Sequence, residues 1–175
     1  SYVNLQAIIE DPTDGSEDGS FKIETRVGST LRDRINMTST ETIMNSEGVD
    51  LDFRVESDSS THCLFVNAAT NKVGIKTSSP DGQLHIHTAT AGTVTAGTGA
   101  DELVLENSTN CGLSILSPSD TVAQIMFGDQ NDNNVGQIQY HHDTDHMEFT
   151  VNAVERMRID SNGVLLINTT TAVAD

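Results

Sequence analysis

Apolar and polar side chains alternate with period two along most of the chain. In FKIETRV, Phe21, Ile23, Thr25 and Val27 fall on one face and Lys22, Glu24 and Arg26 on the other, the pattern of a half-buried strand. LRDRINM repeats it with Leu31, Asp33, Ile35 and Met37, where Asp33 is an inward charge that needs a partner or an edge position. The alternation is cleanest in VDLDFRVES, where Val49, Leu51, Phe53 and Val55 are separated by Asp50, Asp52, Arg54 and Glu56. Further strands are predicted over 102–106, 112–116, 123–127, 135–140, 147–151, 156–160 and 164–168, divided by Gly, Asn, Asp and Ser clusters that mark turns. The best helical candidate, NAVERM over 152–157, is too short to stand alone and reads better as the approach to a strand.

Two of these strand-and-turn stretches recur elsewhere in the chain. MNSEGVDL (44–51) matches IDSNGVLL (159–166), and NKVGIKTSS (71–79) matches NGVLLINTTT (162–171) after one inserted residue. Each reads as a short hairpin whose turn needs the positive φ that Asn and Gly tolerate. A two-stranded ribbon is marginal in water, so such repeats need something to lie against. Two low-complexity connectors separate the strands. One is DPTDGSEDGS (11–20), and the other is HTATAGTVTAGTGAD (87–101), whose small side chains suit a joint or strands packed close to an axis. The resulting segments are an N-terminal β segment (1–43), a hairpin repeat region (44–92), a Thr/Ala/Gly connector (93–101), a β-rich segment (102–158) and a C-terminal hairpin repeat (159–175).

Composition changes the picture from globule to assembly. Hydrophobic residues are 35% and aromatics 4%, with no tryptophan, against roughly 45–50% apolar residues (glycine included) in ordinary globular domains. A single-chain core would be thin, yet the alternation is too regular for a disordered chain, and neighbouring chains would reconcile the two. The net charge of -17, with nine basic residues scattered among 26 acids, argues against nucleic acid and anionic membrane as partners. No apolar run approaches the roughly 18 residues of a membrane span, and membrane insertion is not expected. Cys63 and Cys111 show no CxxC pairing and are expected as buried free thiols, with one disulfide as the alternative.

The stretches ERMRIDSNGVLLINTTT (155–171), FRVESDSSTHCLFVNAATNKVGIKTSSPDGQLHIHTATAG (53–92) and GQIQYHHDTDHMEFTVNAVERMRI (136–159) resemble the repeats of tail-fibre proteins from tailed, especially marine, bacteriophages. The first quarter is similar to the same class, and the likeness covers about nine tenths of the chain. Lys72 and the pair Leu165-Leu166 depart from the usual turn glycines. The resemblance implies an all-β, elongated homotrimer of interleaved short strands and hairpins around a threefold axis. It implies a structural role in a virion tail fibre, extracellular, with other fibre or baseplate proteins as partners and possible contact with a host glycan or protein. The self-cleaving chaperone domain that typically follows such repeats is not expected within these 175 residues. The alternative is a lectin-like or receptor-binding module acting through its loops.

Chemistry-bearing residues are few. His85 and His87 lie on the same side of a strand, with Leu84 and Ile86 on the other. The resemblance makes an HxH site on the threefold axis relevant, where three pairs would give six nitrogens for a transition metal such as iron, nickel or cobalt. Two exposed or hydrogen-bonded histidines are the plainer reading. HHDTDH (His141, His142, Asp143, Asp145, His146) reads as a polar hairpin loop, with a carboxylate and imidazole site for a divalent ion as the alternative. Asp129, Asn131 and Asp132 in DQNDNN read as a solvated turn and, with His141, His142 and His146, are the candidates for receptor contact. There is no GxSxG elbow, HExxH, phosphate loop or dinucleotide fingerprint, and few aromatics to stack a sugar, so catalysis is not expected.

Overall fold

The computed structural model describes residues 2–169. Among them are fourteen strands and no helix. The chain divides into two compact units, Ser1–Gly112 and Leu113–Asp175. The first holds two sheets. β1 (Val3–Asp11), β2 (Asp18–Val27), β3 (Thr30–Met37) and β4 (Thr42–Met44) form an antiparallel meander. β5 (Phe53–Val55), β6 (Leu64–Asn67), β7 (Lys72–Ile75), β8 (Leu84–His87) and β9 (Leu103–Glu106) form the next sheet, antiparallel as far as β7 and parallel from β7 to β9. The second unit is a five-stranded antiparallel meander of β10 (Val122–Phe127), β11 (Gly136–His141), β12 (His146–Val151), β13 (Val154–Ile159) and β14 (Leu165–Ile167).

The all-β reading holds, and most predicted strands are found. β1 was not among them. NAVERM is indeed the approach to a strand: Asn152 and Ala153, both at positive φ, make the two-residue turn between β12 and β13. Three of the strand expectations need correction. Residues 112–116 form no strand, because no neighbour offers them a ladder; Leu113 and Ile115 lie instead over Ile125 and Ile138 of the last sheet. In VDLDFRVES only Phe53–Val55 is strand, while Val49 and Leu51 line an open apolar groove of about 470 Å³ with Phe53 and Val66. The alternation of LRDRINM is broken by a bulge at Arg34, which puts Asp33 opposite Glu24 while Ile35 stays opposite Ile23. Asp33 therefore joins the polar face, where it pairs with Lys22 at 3.3 Å and accepts from Ser46 Oγ at 2.6 Å.

The repeats share their turns more than their exits. Asn45–Gly48 and Asp160–Gly163 are both closed by the glycine N–H donating to the carbonyl three residues back, at 3.0 and 2.9 Å, with Gly48 and Gly163 at positive φ. After the second turn β14 folds back on β13; after the first, the chain leaves for another sheet, so MNSEGVDL is not a hairpin. A further likeness lies at the strand ends. Asn45, Lys76 and Asn168 each follow a strand, each sits in the left-handed region, and each donates its N–H to the preceding strand's side, at Arg34, His62 and Arg156. Residues 170–171 of the last repeat, and the expected 159–175 segment beyond Thr169, lie outside the described residues.

The Thr/Ala/Gly connector at 93–101 carries no strand and lies within the first compact unit, as part of the crossover that brings β9 alongside β8. The parallel strands advance without a helix because their crossovers stack. Gln83 N–H donates to Asp101 O at 2.7 Å, and a Cβ on Gly82 would stand 2.1 Å from that same oxygen. Only glycine allows the two crossovers to approach so closely.

In every sheet the two faces are sharply different. In the last sheet, Ile125, Phe127, Ile138, Tyr140, Met147, Phe149, Met157, Ile159, Leu165 and Ile167 share one face by register, while Gln139, His141, His146, Glu148, Thr150 and Arg158 share the other. The meander β1–β4 collects Val3, Leu5, Phe21, Ile23, Ile35 and Met37 on one face in the same way. The chain by itself buries the polar faces better. Asp33, His85, His146 and Thr150 are buried, whereas Leu5, Phe53, Phe127, Leu165 and Ile167 are exposed. Phe65 and Leu166 are the buried hydrophobic side chains among the described residues, and both lie on polar faces, opposite Arg54 and Arg158.

Candidate functional site

Two histidine and carboxylate clusters occupy polar sheet faces. In the second sheet, parallel pairing sets His87 beside Glu106, and the period of two brings His85 to the same side. Glu106 Oε2 lies 3.1 Å from His85 Nε2 and 3.8 Å from His87 Nε2. The backbone N–H of Ala91 donates to Glu106 Oε1 at 2.6 Å, and this bond above all, then the Thr90 hydroxyl and the two imidazoles, holds the Glu106 carboxyl below its ordinary range. His85 is 2% exposed, enclosed by its own chain, and its Nδ1 accepts from Asp81 N–H at 3.1 Å. That acceptor role leaves the proton on Nε2, facing Glu106 closely though not aligned as a hydrogen bond. His85 thus has no free lone pair on Nε2 for an ion, and its ring is covered rather than turned outward; His87 is half-buried. The expected same-side geometry is present, but its companion is a carboxylate that sequence spacing did not suggest.

The second cluster sits where β11 turns into β12. His141 and His146 are directly paired across the strands, flanking the turn 142–145, and Glu148 follows His146 by two on the same face. The imidazoles stack at 4.2 Å with 11° between planes. Both Nε2 atoms approach Glu148 Oε2, at 3.5 and 3.6 Å, and both are buried without a hydrogen-bond partner. Arg158 Nη2 is 3.8 Å from the same oxygen, but the guanidinium forks onto Glu155, which lowers the Glu155 pKa and raises that of Arg158. Glu148 Oε1 accepts from Thr150 Oγ1 at 2.9 Å. Among the described residues, His141, His146 and Glu148 are the group whose ligand atoms lie within 4.8 Å of one another, and they could hold a metal ion.

The remaining candidates are placed apart. Asp129, Asn131 and Asp132 belong to the loop between β10 and β11, at the other end of β11 from His141, His142 and His146. Six residues of strand separate the two loops by roughly 20 Å, so they form no common patch. Asp129 Oδ1 is occupied by the N–H groups of Asn131 and Asp132 at 2.7 and 3.0 Å, and Asp132 Oδ1 by that of Asn134 at 3.1 Å, as in a self-satisfied turn. His142 packs edge-on to Tyr140 at 4.9 Å. Both cysteines are free, as expected, but Cys63 is half-buried and Cys111 exposed, because neither lies on a covered face. Hydroxyl hydrogen bonds from Ser57 and Ser60 lower the Cys63 pKa.

Glu148, Glu106 and Thr144 were absent from the sequence-level candidates. A search for carboxylates two residues from a histidine would have found Glu148; Glu106 becomes visible only with the parallel register. Among the described residues, no helix is long and apolar enough to cross a membrane. Comparison of the chain with models of protein families, with curated proteins and with solved structures finds no match.

Proposed function

We propose that the chain is a structural segment of a homotrimeric β fibre, in which copies lay their apolar sheet faces against one another, in the manner of a phage tail fibre that reaches toward a host surface. The observation that carries this reading is the open apolar face on all three sheets. The chain exposes 12,125 Å² of surface. Two separate compact globules of about 12 and 7 kDa, the masses of the two units, would expose about 9,900 Å² together. The excess of about 2,200 Å² per chain is on the scale of obligate interfaces between subunits. Covering the apolar faces with copies of the chain would also shield edge strands, while the 26 acids keep assemblies apart laterally.

Sedimentation velocity tests the proposal. A folded species of three times 18.8 kDa with a high frictional ratio is expected. A folded monomer at micromolar concentration would refute it.

A further inference from the structure

We propose that His141, His146 and Glu148 bind one divalent transition-metal ion of the zinc or cobalt kind on the polar face of the last sheet. This does not rest on the assembly reading, since the site lies on the face opposite the exposed apolar one. The first observation is an unmet need: His146 is 8% exposed, and its Nε2, like that of His141, is buried without a hydrogen-bond partner and aimed at Glu148. Buried polar atoms are seldom left so.

The hydrogen bonds around the cluster are compatible with the tautomer a metal needs. Thr144 Oγ1 lies 3.2 Å from Asp143 Oδ1, to which it can only donate, and 2.8 Å from His146 Nδ1, toward which either atom can be the donor. With the hydroxyl proton on Asp143, the ring proton sits on Nδ1 and the lone pair on Nε2, whereas at His85 Nδ1 is the acceptor. Spacing fits as well. Donors about 2.1 Å from a tetrahedral ion stand about 3.4 Å apart, and the two nitrogens stand 3.5 and 3.6 Å from Glu148 Oε2. Two imidazoles and one carboxylate favour a late first-row ion over calcium or magnesium. An ion must lie near the plane of each ring it binds, which two near-parallel stacked rings cannot share. Binding therefore turns one imidazole out of the stack, and His141, the less buried of the two, is the one that turns.

Metal-stripped full chain is titrated with Zn²⁺ by calorimetry and with Co²⁺ by visible absorbance. One ion per chain is expected. Glu148→Gln, which keeps the side-chain shape, and His141→Ala should each weaken binding about 100-fold or more, and Thr144→Val about 10-fold, in line with the weakening of about 10–100-fold that loss of an outer-shell partner brings. His87→Ala should leave the affinity unchanged, and circular dichroism should show every variant folded. Zn²⁺ should shift the His141 imidazole resonances in the NMR spectrum, and Glu148→Gln should abolish that shift. Absence of binding, equal affinity in the three site variants, or loss of binding in His87→Ala would overturn the assignment.

Discussion

Phe65 and Phe127 make the assembly reading quantitative. A phenylalanine side chain offers about 200 Å² to burial. Phe65 is 5% exposed and packed edge-on against the His62 ring at 5.1 Å, so Phe65→Ala should cost about 3–5 kcal/mol whatever the oligomeric state. Phe127 is 55% exposed within the chain, so its own chain covers only about 90 Å², worth about 2 kcal/mol. If a second copy covers the remaining 110 Å² or so, about 2.7 kcal/mol is added and Phe127→Ala becomes as costly as Phe65→Ala. At about 2–4 °C per kcal/mol for a chain of this length, the melting midpoint of Phe127→Ala should fall by roughly 9–18 °C in an assembly but only 4–8 °C in a monomer. The assay is thermal denaturation followed by circular dichroism at two protein concentrations. Tenfold dilution of a trimer that unfolds to monomers removes about 2.7 kcal/mol per trimer, so the midpoint must also move with concentration. A Phe127→Ala shift no more than half that of Phe65→Ala, with a concentration-independent midpoint, would refute the idea that copies cover this face.

Backbone and charge give three further tests. Gly82→Ala sets a methyl 2.1 Å from Asp101 O and 2.6 Å from Val104 Cγ2, which should force the crossovers apart and lower stability by about 2 kcal/mol or more in urea titration, whereas Gly97→Ala, with open space around it, should be neutral. Lys76 holds a φ of 61°, a conformation that costs an L-residue about 1–2 kcal/mol, so Lys76→Gly should be neutral to mildly stabilising in the same assay. Glu106 has a folded pKa lowered from 4.5, so it adds stability that is present above that value and is lost as pH falls through its folded pKa. Urea midpoints measured from pH 6 down through about pH 3 should therefore drop less steeply in Glu106→Gln than in the parent, and equal slopes would refute that linkage.

Period-two alternation located strands well because a pleat imposes it directly, and the clean pairing of Ile138 with Phe149 and of Tyr140 with Met147 follows from it. It failed where a neighbour rather than the segment decides. Residues 112–116 alternate but have no ladder partner, and Arg34 inserts a bulge that no local pattern announces. The site was half legible for a similar reason. His141, His146 and Glu148 are close in sequence, and a hairpin turn suffices to assemble them, whereas Glu106 reaches His85 and His87 through a crossover of fifteen residues, 88–102, whose register cannot be read locally.

The faces of the sheets explain why both proposals can hold in one chain. A sheet that must bury a wide apolar face against other chains needs its remaining face to be rigid without a hydrocarbon core. Here that rigidity comes from polar pairs that are already complete within the chain: Lys22 with Asp33, Asn4 with Glu24, Arg158 with Glu155 and Glu106 with Ala91. The first two pairs tie neighbouring strands, the third lies within β13 and the last ties β9 to its crossover, and each leaves the aliphatic face free for a neighbour. His141 and His146, like His85, hold buried Nε2 atoms without a hydrogen-bond partner. A metal ion would finish the polar face of the last sheet as the ion pairs finish the others, tying the β11–β12 turn to the sheet interior. Zinc should therefore raise the melting midpoint of the parent protein and leave that of Glu148→Gln unmoved, while sedimentation of both remains the same.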